Sequence, residues 1–165
     1  MSESSALYVC PAAFYDADAL ANLRAQSLIE LGLLEARVSS SFIDKARGEF
    51  YRMLERERIA AWLLVDDDRA VGCAMALFWM RLPYPNGMLH AEIAGVYVEP
   101  RYRGRGFARE LISDALHAAK ARGARRIVLH AREGSKDLYR KFGFVDSNEM
   151  VLAGGVEEPH PCSVT

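Results

Sequence analysis

The sequence predicts an α/β or α+β fold with a mixed, partly antiparallel sheet. Three observations lead there. Segments with apolar residues at strand period alternate with segments at helical period. Strand candidates are joined by turn-type residues, Asp66-Asp67-Asp68-Arg69 and Pro83-Tyr84-Pro85-Asn86-Gly87. A strand at 89–98, a loop rich in glycine and arginine, a helix and another strand then give a βαβ crossover.

The elements follow in order. Residues 6–9 form a short strand candidate. Asp16 or Asp18 can cap a first helix, whose apolar face carries Leu20, Leu23, Leu28 and Leu31 and which ends near Gly32. Ser41-Phe42-Ile43-Asp44 has the spacing of a capping box, and Phe42, Ile43, Ala46, Phe50, Met53 and Leu54 continue a second helical stripe. Strands at 62–65 and 70–80 come next. The acidic triplet between them reads as a solvated turn and not as a metal site, because Asp favours turns and no further ligand cluster accompanies it. Beyond the 89–98 strand, Phe107, Leu111, Ile112, Ala115, Leu116 and Ala119 form the buried stripe of a long helix, which Gly123 is placed to end. Residues 127–131 read as a strand, 135–142 as a short helix stopped by Gly143, and 144–152 as the strand that completes the sheet. Residues 153–165, with two prolines and two glycines, read as a loosely ordered tail, which leaves 1–152 as a single domain.

Composition narrows the function classes. A chain of 165 residues can build one domain with a core, and 51% apolar with 26% charged residues is an ordinary globular balance. Lys and Arg total 21 against 22 for Asp and Glu, a net charge of −1, so any basic patch is local and no general field for nucleic acid or membrane is indicated. Cys10, Cys73 and Cys162 lie far apart without metal-ligand spacing and read as reduced thiols. The first residues lack the basic and apolar segments of a signal peptide, and no stretch approaches the ~18 apolar residues of a membrane span. The expectation is a soluble, cytoplasmic protein that uses no metal.

The chemistry-bearing segment is Arg103-Gly104-Arg105-Gly106 between a strand and a helix. Glycines let backbone N–H groups approach an anion, and the helix start adds unpaired donors and the positive end of its dipole. A pyrophosphate is the natural guest, and Arg101, Arg103, Arg105 and Arg109 add positive charge. A Gly-Lys-Ser/Thr ending is missing, and Arg109 stands where a dinucleotide fingerprint needs glycine. Taken alone, the loop also fits a solvated turn whose arginines touch nothing.

These residues resemble the GCN5-related N-acetyltransferase (GNAT) superfamily, in its small single-domain bacterial type. The family's acetyl-coenzyme A motif, Gln/Arg-x-x-Gly-x-Gly/Ala after a strand, is met twice, by Arg101-x-x-Gly104-x-Gly106 and by Arg103-x-x-Gly106-x-Ala108. Downstream, Leu138-Tyr139-Arg140-Lys141-Phe142-Gly143-Phe144 is similar to the family's Leu-Tyr-x-x-x-Gly-Phe segment. The resemblance covers roughly residues 6–152. It implies a mostly antiparallel central sheet with a βαβ acetyl-coenzyme A core and flanking helices. In that fold the sheet is splayed and the pantetheine arm lies along Val96, Tyr97 and Val98, with Gly104, Arg105, Gly106, Phe107, Ala108 and the Arg103 position around the phosphates. It also implies acetyl transfer to a primary amine by direct attack. The expected partners are acetyl-coenzyme A and an amine acceptor, a small molecule or a protein, with no nucleic acid and no membrane; a homodimer is compatible with the sequence.

Transfer requires a base, an acid and an oxyanion donor. Glu92 is the first choice of base, since a carboxylate within an apolar strand costs desolvation free energy unless it has a purpose or a partner. With regular pairing, His90, Glu92, Ala94, Val96 and Val98 share one face. The resemblance supports the choice, because histone-acetylating members carry their glutamate in a context like Ala91-Glu92-Ile93. A structural Glu92, paired with an arginine or facing solvent, stays open. Tyr139 is the acid that the resemblance implies, placed to protonate the leaving thiolate; the alternative is a core aromatic at helical spacing from Phe142. Many relatives have Asn and Ala where this chain has Arg132 and Ser135, so Ser135 is a coenzyme-arm candidate and the Asn role is not carried to Arg132. His90 and His130 are alternative bases, and a backbone N–H near Val98 is the oxyanion donor expected. A non-catalytic acyl-coenzyme A-binding module and a nucleic-acid binder using Arg101–Arg109 are the rival readings.

Overall fold

The computed structural model describes residues 7–150, which fall into two compact units dividing between Leu129 and His130. The first unit runs β1 (Leu7–Pro11), α1 (Ala17–Glu30), α2 (Ser39–Glu55), β2 (Ile59–Asp66), β3 (Arg69–Met80), β4 (Leu89–Val98), α3 (Phe107–Ala121) and β5 (Arg126–Val128). Its strands form one sheet in the order β1-β2-β3-β4-β5. Every neighbouring pair is antiparallel except β4 and β5, which are parallel across the α3 crossover. This is the mixed, mostly antiparallel α/β architecture that the sequence predicts.

Burial explains why β2 and β3 read as near-continuous apolar runs. Leu63, Leu64 and Val65 are buried in succession, as are residues 71–76, which requires both faces of the sheet to be covered. On one face, Leu20 and Leu23 of α1 pack with Ile59, Ala61, Leu63, Val65, Cys73 and Met75. On the other, α3 lies against β2, β3 and β4 and buries Leu111, Ile112, Ala115, Leu116 and Ala119. Each fully buried leucine among Leu20, Leu23, Leu64 and Leu111 contributes about 2–3 kcal/mol of transfer free energy.

The pairing of β3 with β4 is not regular. From Cys73↔Tyr97 to Met75↔Ala94, β3 advances two residues while β4 advances three. The extra residue is a β-bulge at Gly95, whose φ of 61° suits glycine. It corrects the expectation of one continuous face. Glu92, Ala94 and Tyr97 stand opposite Leu77, Met75 and Cys73 and share their face, while Val96 and Val98 turn to the other.

Two further expectations change. The capping box at Ser41–Asp44 lies inside α2, which begins at Ser39, where the Ser39 hydroxyl donates to the Ala36 carbonyl. Residues 144–150 form no strand: Val145 and Met150 are exposed, and the Asp146-Ser147-Asn148-Glu149 run between them has no apolar alternation. Val151, Leu152 and the tail lie outside the described residues.

The second unit holds a 3-10 turn (Glu133–Ser135) and α4 (Lys136–Arg140). Gly143, at φ 90°, stops this helix as predicted; its N–H donates to the Arg140 carbonyl at 2.9 Å, beside Phe142 N–H to Tyr139 at 2.9 Å.

Candidate active site

Glu92 stands in the last residue pair between β4 and β5. Among the described residues β4 and β5 pair from His90↔Arg126 to Glu92↔Val128, and β4 has no strand partner on that side from Ile93 to Val98. Before the bulge it is the odd residues that face β5, since the Leu89 carbonyl accepts from Arg125 N–H at 2.8 Å. Beyond it, Glu99 N–H donates back to Val71 on β3 at 2.9 Å, so alternation turns the N–H and C=O of Val96 and Val98 to the outer edge, where the Val98 carbonyl accepts from Arg103 Nε. The bulge thus hands the edge from odd to even residues. Glu92 itself is half-buried, on the same face as the buried His90, whose ring centroid lies 5.8 Å from that of Trp79.

The outer edge leads through a 3-10 turn (Pro100–Tyr102) into the glycine-rich loop. Gly104 and Gly106 have φ of 72° and 88°, a conformation that L side chains adopt only with strain. A Cβ on either would meet nothing within 4 Å, so the space before both is open. Gly106 is the N-cap of α3 and no side chain caps the helix. Its first-turn N–H groups, on Phe107, Ala108 and Arg109, therefore face outward as donors for an anion.

The arginines of the loop do different things. Arg105 lies over the Phe107 ring, 5.2 Å from its centroid, and Arg101 over Tyr102 at 4.7 Å. Arg105 and Arg109 are exposed, and neither is ion-paired among the described residues. Arg103 is engaged instead: its Nε donates to the Val98 carbonyl at 2.7 Å and its guanidinium to Glu30 at 2.7 Å, while it sits 5.6 Å above the Tyr97 ring. The Tyr97 hydroxyl donates to the same Glu30 at 3.3 Å, and burial, followed by the Glu30 charge, pushes its phenol up.

Residues that the sequence did not single out hold this loop. Arg69 forks onto the buried Glu99 with bonds of 2.6 and 2.8 Å, and the Tyr102 hydroxyl donates to Asp66. The β2–β3 turn is thereby fastened to the β4–α3 junction. The triplet predicted as a solvated turn keeps Asp67 and Asp68 exposed, while Asp66 is half-buried and occupied. A signal was available in the hairpin register, since Gly72↔Val98 brings Arg69 toward Glu99, but periodicity alone does not give register. Below the bulge, the fully buried Cys73 thiol donates to the Gly95 carbonyl at 3.2 Å.

Ser135 and Tyr139 belong to the second unit. The Ser135 hydroxyl donates to the Arg132 carbonyl at 3.0 Å, at the start of α4. Tyr139 is half-buried, edge-on to Phe144 with centroids 6.1 Å apart; burial raises its phenol above the usual range, and Arg132 works against that. His130 is exposed. The structure brings Glu92, residues 96–98 and the loop together in one unit; Ser135 and Tyr139 are placed only within the other.

The open cradle before Gly104 and Gly106, with uncapped donors behind it, fits the diphosphate of a coenzyme A. Among the described residues no group of three or more His, Cys, Asp or Glu side chains could hold a metal ion.

Comparison with known proteins agrees with this geometry. The chain is 34% identical over 58 residues to glucosamine 6-phosphate N-acetyltransferase of Trypanosoma brucei brucei, a match covering 35% of this chain and 40% of that protein. It is 26% identical over 129 residues to a Bacillus subtilis (strain 168) protein named "Putative ribosomal protein bS18-alanine N-acetyltransferase", covering 76% and 79% of the two. The crystal structure of a "predicted acetyltransferase with acetyl-CoA" from Clostridium acetobutylicum superposes with a TM-score of 0.78 at 22% identity, over 94% of this chain and all of that one, which shows a shared fold. The model of the acetyltransferase (GNAT) family matches residues 21–144, and the chain belongs to that family.

Proposed function

We propose that this GNAT-family enzyme transfers an acetyl group from acetyl-coenzyme A to a primary amine by direct attack. One observation carries the reading: the edge of β4 that has no strand partner among the described residues runs straight into a left-handed glycine loop and an uncapped helix start. Bound acetyl-coenzyme A supplies the activated thioester. The backbone from Arg103 to Ala108 holds its diphosphate, and the edge N–H and C=O groups of Val96 hold a pantetheine amide, as an added strand would be held. The Val98 N–H is the oxyanion donor. Glu92, in the last β4–β5 pair, takes the proton of the amine directly or through a water. Tyr139 donates to the departing thiolate, a role supported by the Leu-Tyr…Gly-Phe motif and by a phenol that burial keeps protonated. Ser135, four residues before Tyr139 where many relatives have Ala, contacts the coenzyme arm.

The domain is read as 1–152, with the tail outside the catalytic part. A cytoplasmic setting is supported by the free thiols of Cys10 and Cys73. None of the described helices is long and apolar enough to cross a membrane.

The test is calorimetric titration with acetyl-coenzyme A beside dephospho-coenzyme A and NAD, on the wild type and on Gly106→Glu. The reading requires binding of acetyl-coenzyme A in preference to NAD, and weaker binding by the variant, whose side chain and charge enter the cradle. Equal affinity in the variant would refute the loop assignment. Tight binding without thiol release over a broad amine panel would favour a non-catalytic acyl-coenzyme A module.

A further inference from the structure

Arg103 fits the family's motif as a phosphate-reading arginine, yet its side chain is committed elsewhere. Three contacts hold it: Nε to the Val98 carbonyl at 2.7 Å, the guanidinium to Glu30 at 2.7 Å, and the Tyr97 ring beneath it at 5.6 Å. The first closes the turn from β4 to the loop by tying Arg103 to the last residue of β4. The second reaches across 73 residues of sequence to the last residue of α1, and Tyr97 donates to that same carboxylate.

We propose that Arg103 is a positioning residue that, with Glu30 and Tyr97, clasps the C-terminal end of α1 to the β4–α3 turn and sets the aim of the donor site. The inference rests on the acetyl-coenzyme A reading of the loop. Its physical content is geometric. Val98 supplies the last edge amide and Gly104 the first left-handed residue, and the Arg103 side chain fixes the distance between them. A guanidinium suits this because its planar fork serves a carbonyl, a carboxylate and a ring face at once, which an ammonium cannot do. Glu30 and Arg103 are each roughly two-fifths exposed, with side-chain exposures of 42% and 44%, so the pair adds little to global stability. Its effect is on where the loop points. Charge in the clasp is also balanced internally, which leaves Arg105 and Arg109 as the loop cations not ion-paired among the described residues.

Four variants, Arg103→Gln, Arg103→Lys, Glu30→Gln and Tyr97→Phe, with the Arg103→Gln/Glu30→Gln double, separate this from direct phosphate binding. Each is titrated with acetyl-coenzyme A at several salt concentrations, beside a thermal melt. The clasp requires Arg103→Gln and Glu30→Gln each to weaken affinity by about tenfold with small shifts in melting temperature. The double variant is then no worse than Arg103→Gln alone, because the Arg103–Glu30 contact that Glu30→Gln weakens is already lost there. Arg103→Lys fails to rescue, Tyr97→Phe weakens affinity in the same direction, and the salt dependence keeps its wild-type slope. Direct phosphate binding predicts the opposite sign at Glu30: removing that carboxylate frees Arg103, so Glu30→Gln binds as tightly or more tightly. It also predicts rescue by lysine and a flatter salt dependence in Arg103→Gln. Either that pattern or unchanged affinity in both single variants overturns the clasp. A wild type that does not bind acetyl-coenzyme A overturns the donor reading itself, and the role of the clasp with it.

Discussion

The Cys73 thiol donates to the Gly95 carbonyl at 3.2 Å, and so fastens β3 to the residue that breaks the register of β4. Gly95 sits at φ 61°, and a Cβ built on it would lie 2.8 Å from Met75 Cε. The methionine end can move aside, so the backbone conformation decides the effect. Gly95→Ala is expected to cost about 1–2 kcal/mol of stability, read as a lower urea midpoint at unchanged slope. It should also weaken acetyl-coenzyme A binding, because the bulge turns Val96 and Val98 to the outer edge. Unchanged affinity would mean that the edge amides do not hold the coenzyme arm.

Cys73 gives a pH dependence with a definite sign. Burial pushes its thiol up to about 12 from 9.0. An unfolded chain ionises the thiol above pH 9 while the native one keeps its proton, so over that window the unfolded state binds fewer protons. Stability is intact below pH 9 and falls as pH rises toward 12. Cys73→Ala should lack this part of the alkaline decline, measured as the difference between the two denaturation profiles. The native thiol should also resist thiol reagents at pH 8 until the protein unfolds. Rapid native labelling would contradict its burial.

Much of the fold was legible because it depends on period and punctuation. β4 was read at its observed bounds, and Gly123 and Gly143, both at positive φ, mark helix ends as expected. The glycine loop was legible for the same reason: Gly104 and Gly106 need a conformation that sequence advertises. Long-range pairing was not. Glu30 with Arg103, Arg69 with Glu99 and Tyr102 with Asp66 are 73, 30 and 36 residues apart, and register and crossover geometry bring them together. Periodicity does not place the bulge either, because a single glycine in a strand pattern does not say which partner residue loses its match. Regular alternation puts Val96 and Val98 on the face of Glu92, and the extra residue at Gly95 moves them to the other. The strand expected at 144–152 is absent from 144 to 150, where the polar run from Asp146 to Glu149 breaks the apolar alternation that a strand needs.

Arg69 and Glu99 offer a stability test away from the chemistry. Glu99 is buried and its carboxylate takes both arms of Arg69, with Arg101 more distant at 3.7 Å. Arg69→Ala leaves a buried carboxylate with a weak partner and should cost about 1–3 kcal/mol, read by chemical denaturation. Because the pair fastens the β2–β3 turn to the loop, affinity for acetyl-coenzyme A should fall as well. Arg69→Lys should recover only part of either loss. A full recovery by lysine would show that charge suffices and the fork does not matter.

Glu92 tests the base. Glu92→Gln keeps the size of the side chain and removes its ability to accept a proton. Turnover should fall by about 100-fold, and the acidic limb of the pH–rate profile should flatten while acetyl-coenzyme A affinity stays near that of the wild type. A limb that persists would transfer the role to His90, on the same face of β4, to His130 or to water.

Tyr139 tests the acid, and the sign of its pH effect follows from burial. Its phenol is raised above the ordinary value of 10, so it remains a proton donor through neutral and mildly alkaline pH. Loss of activity tied to its ionisation is therefore expected only on the alkaline side of pH 10. Tyr139→Phe should lower kcat by about 10–100-fold with little change in acetyl-coenzyme A affinity, and should remove that alkaline limb. The half-buried ring packs on Phe144, so phenylalanine preserves the fold and isolates the hydroxyl. A kcat equal to that of the wild type would leave Tyr139 as a packing residue, with the thiolate protonated by solvent.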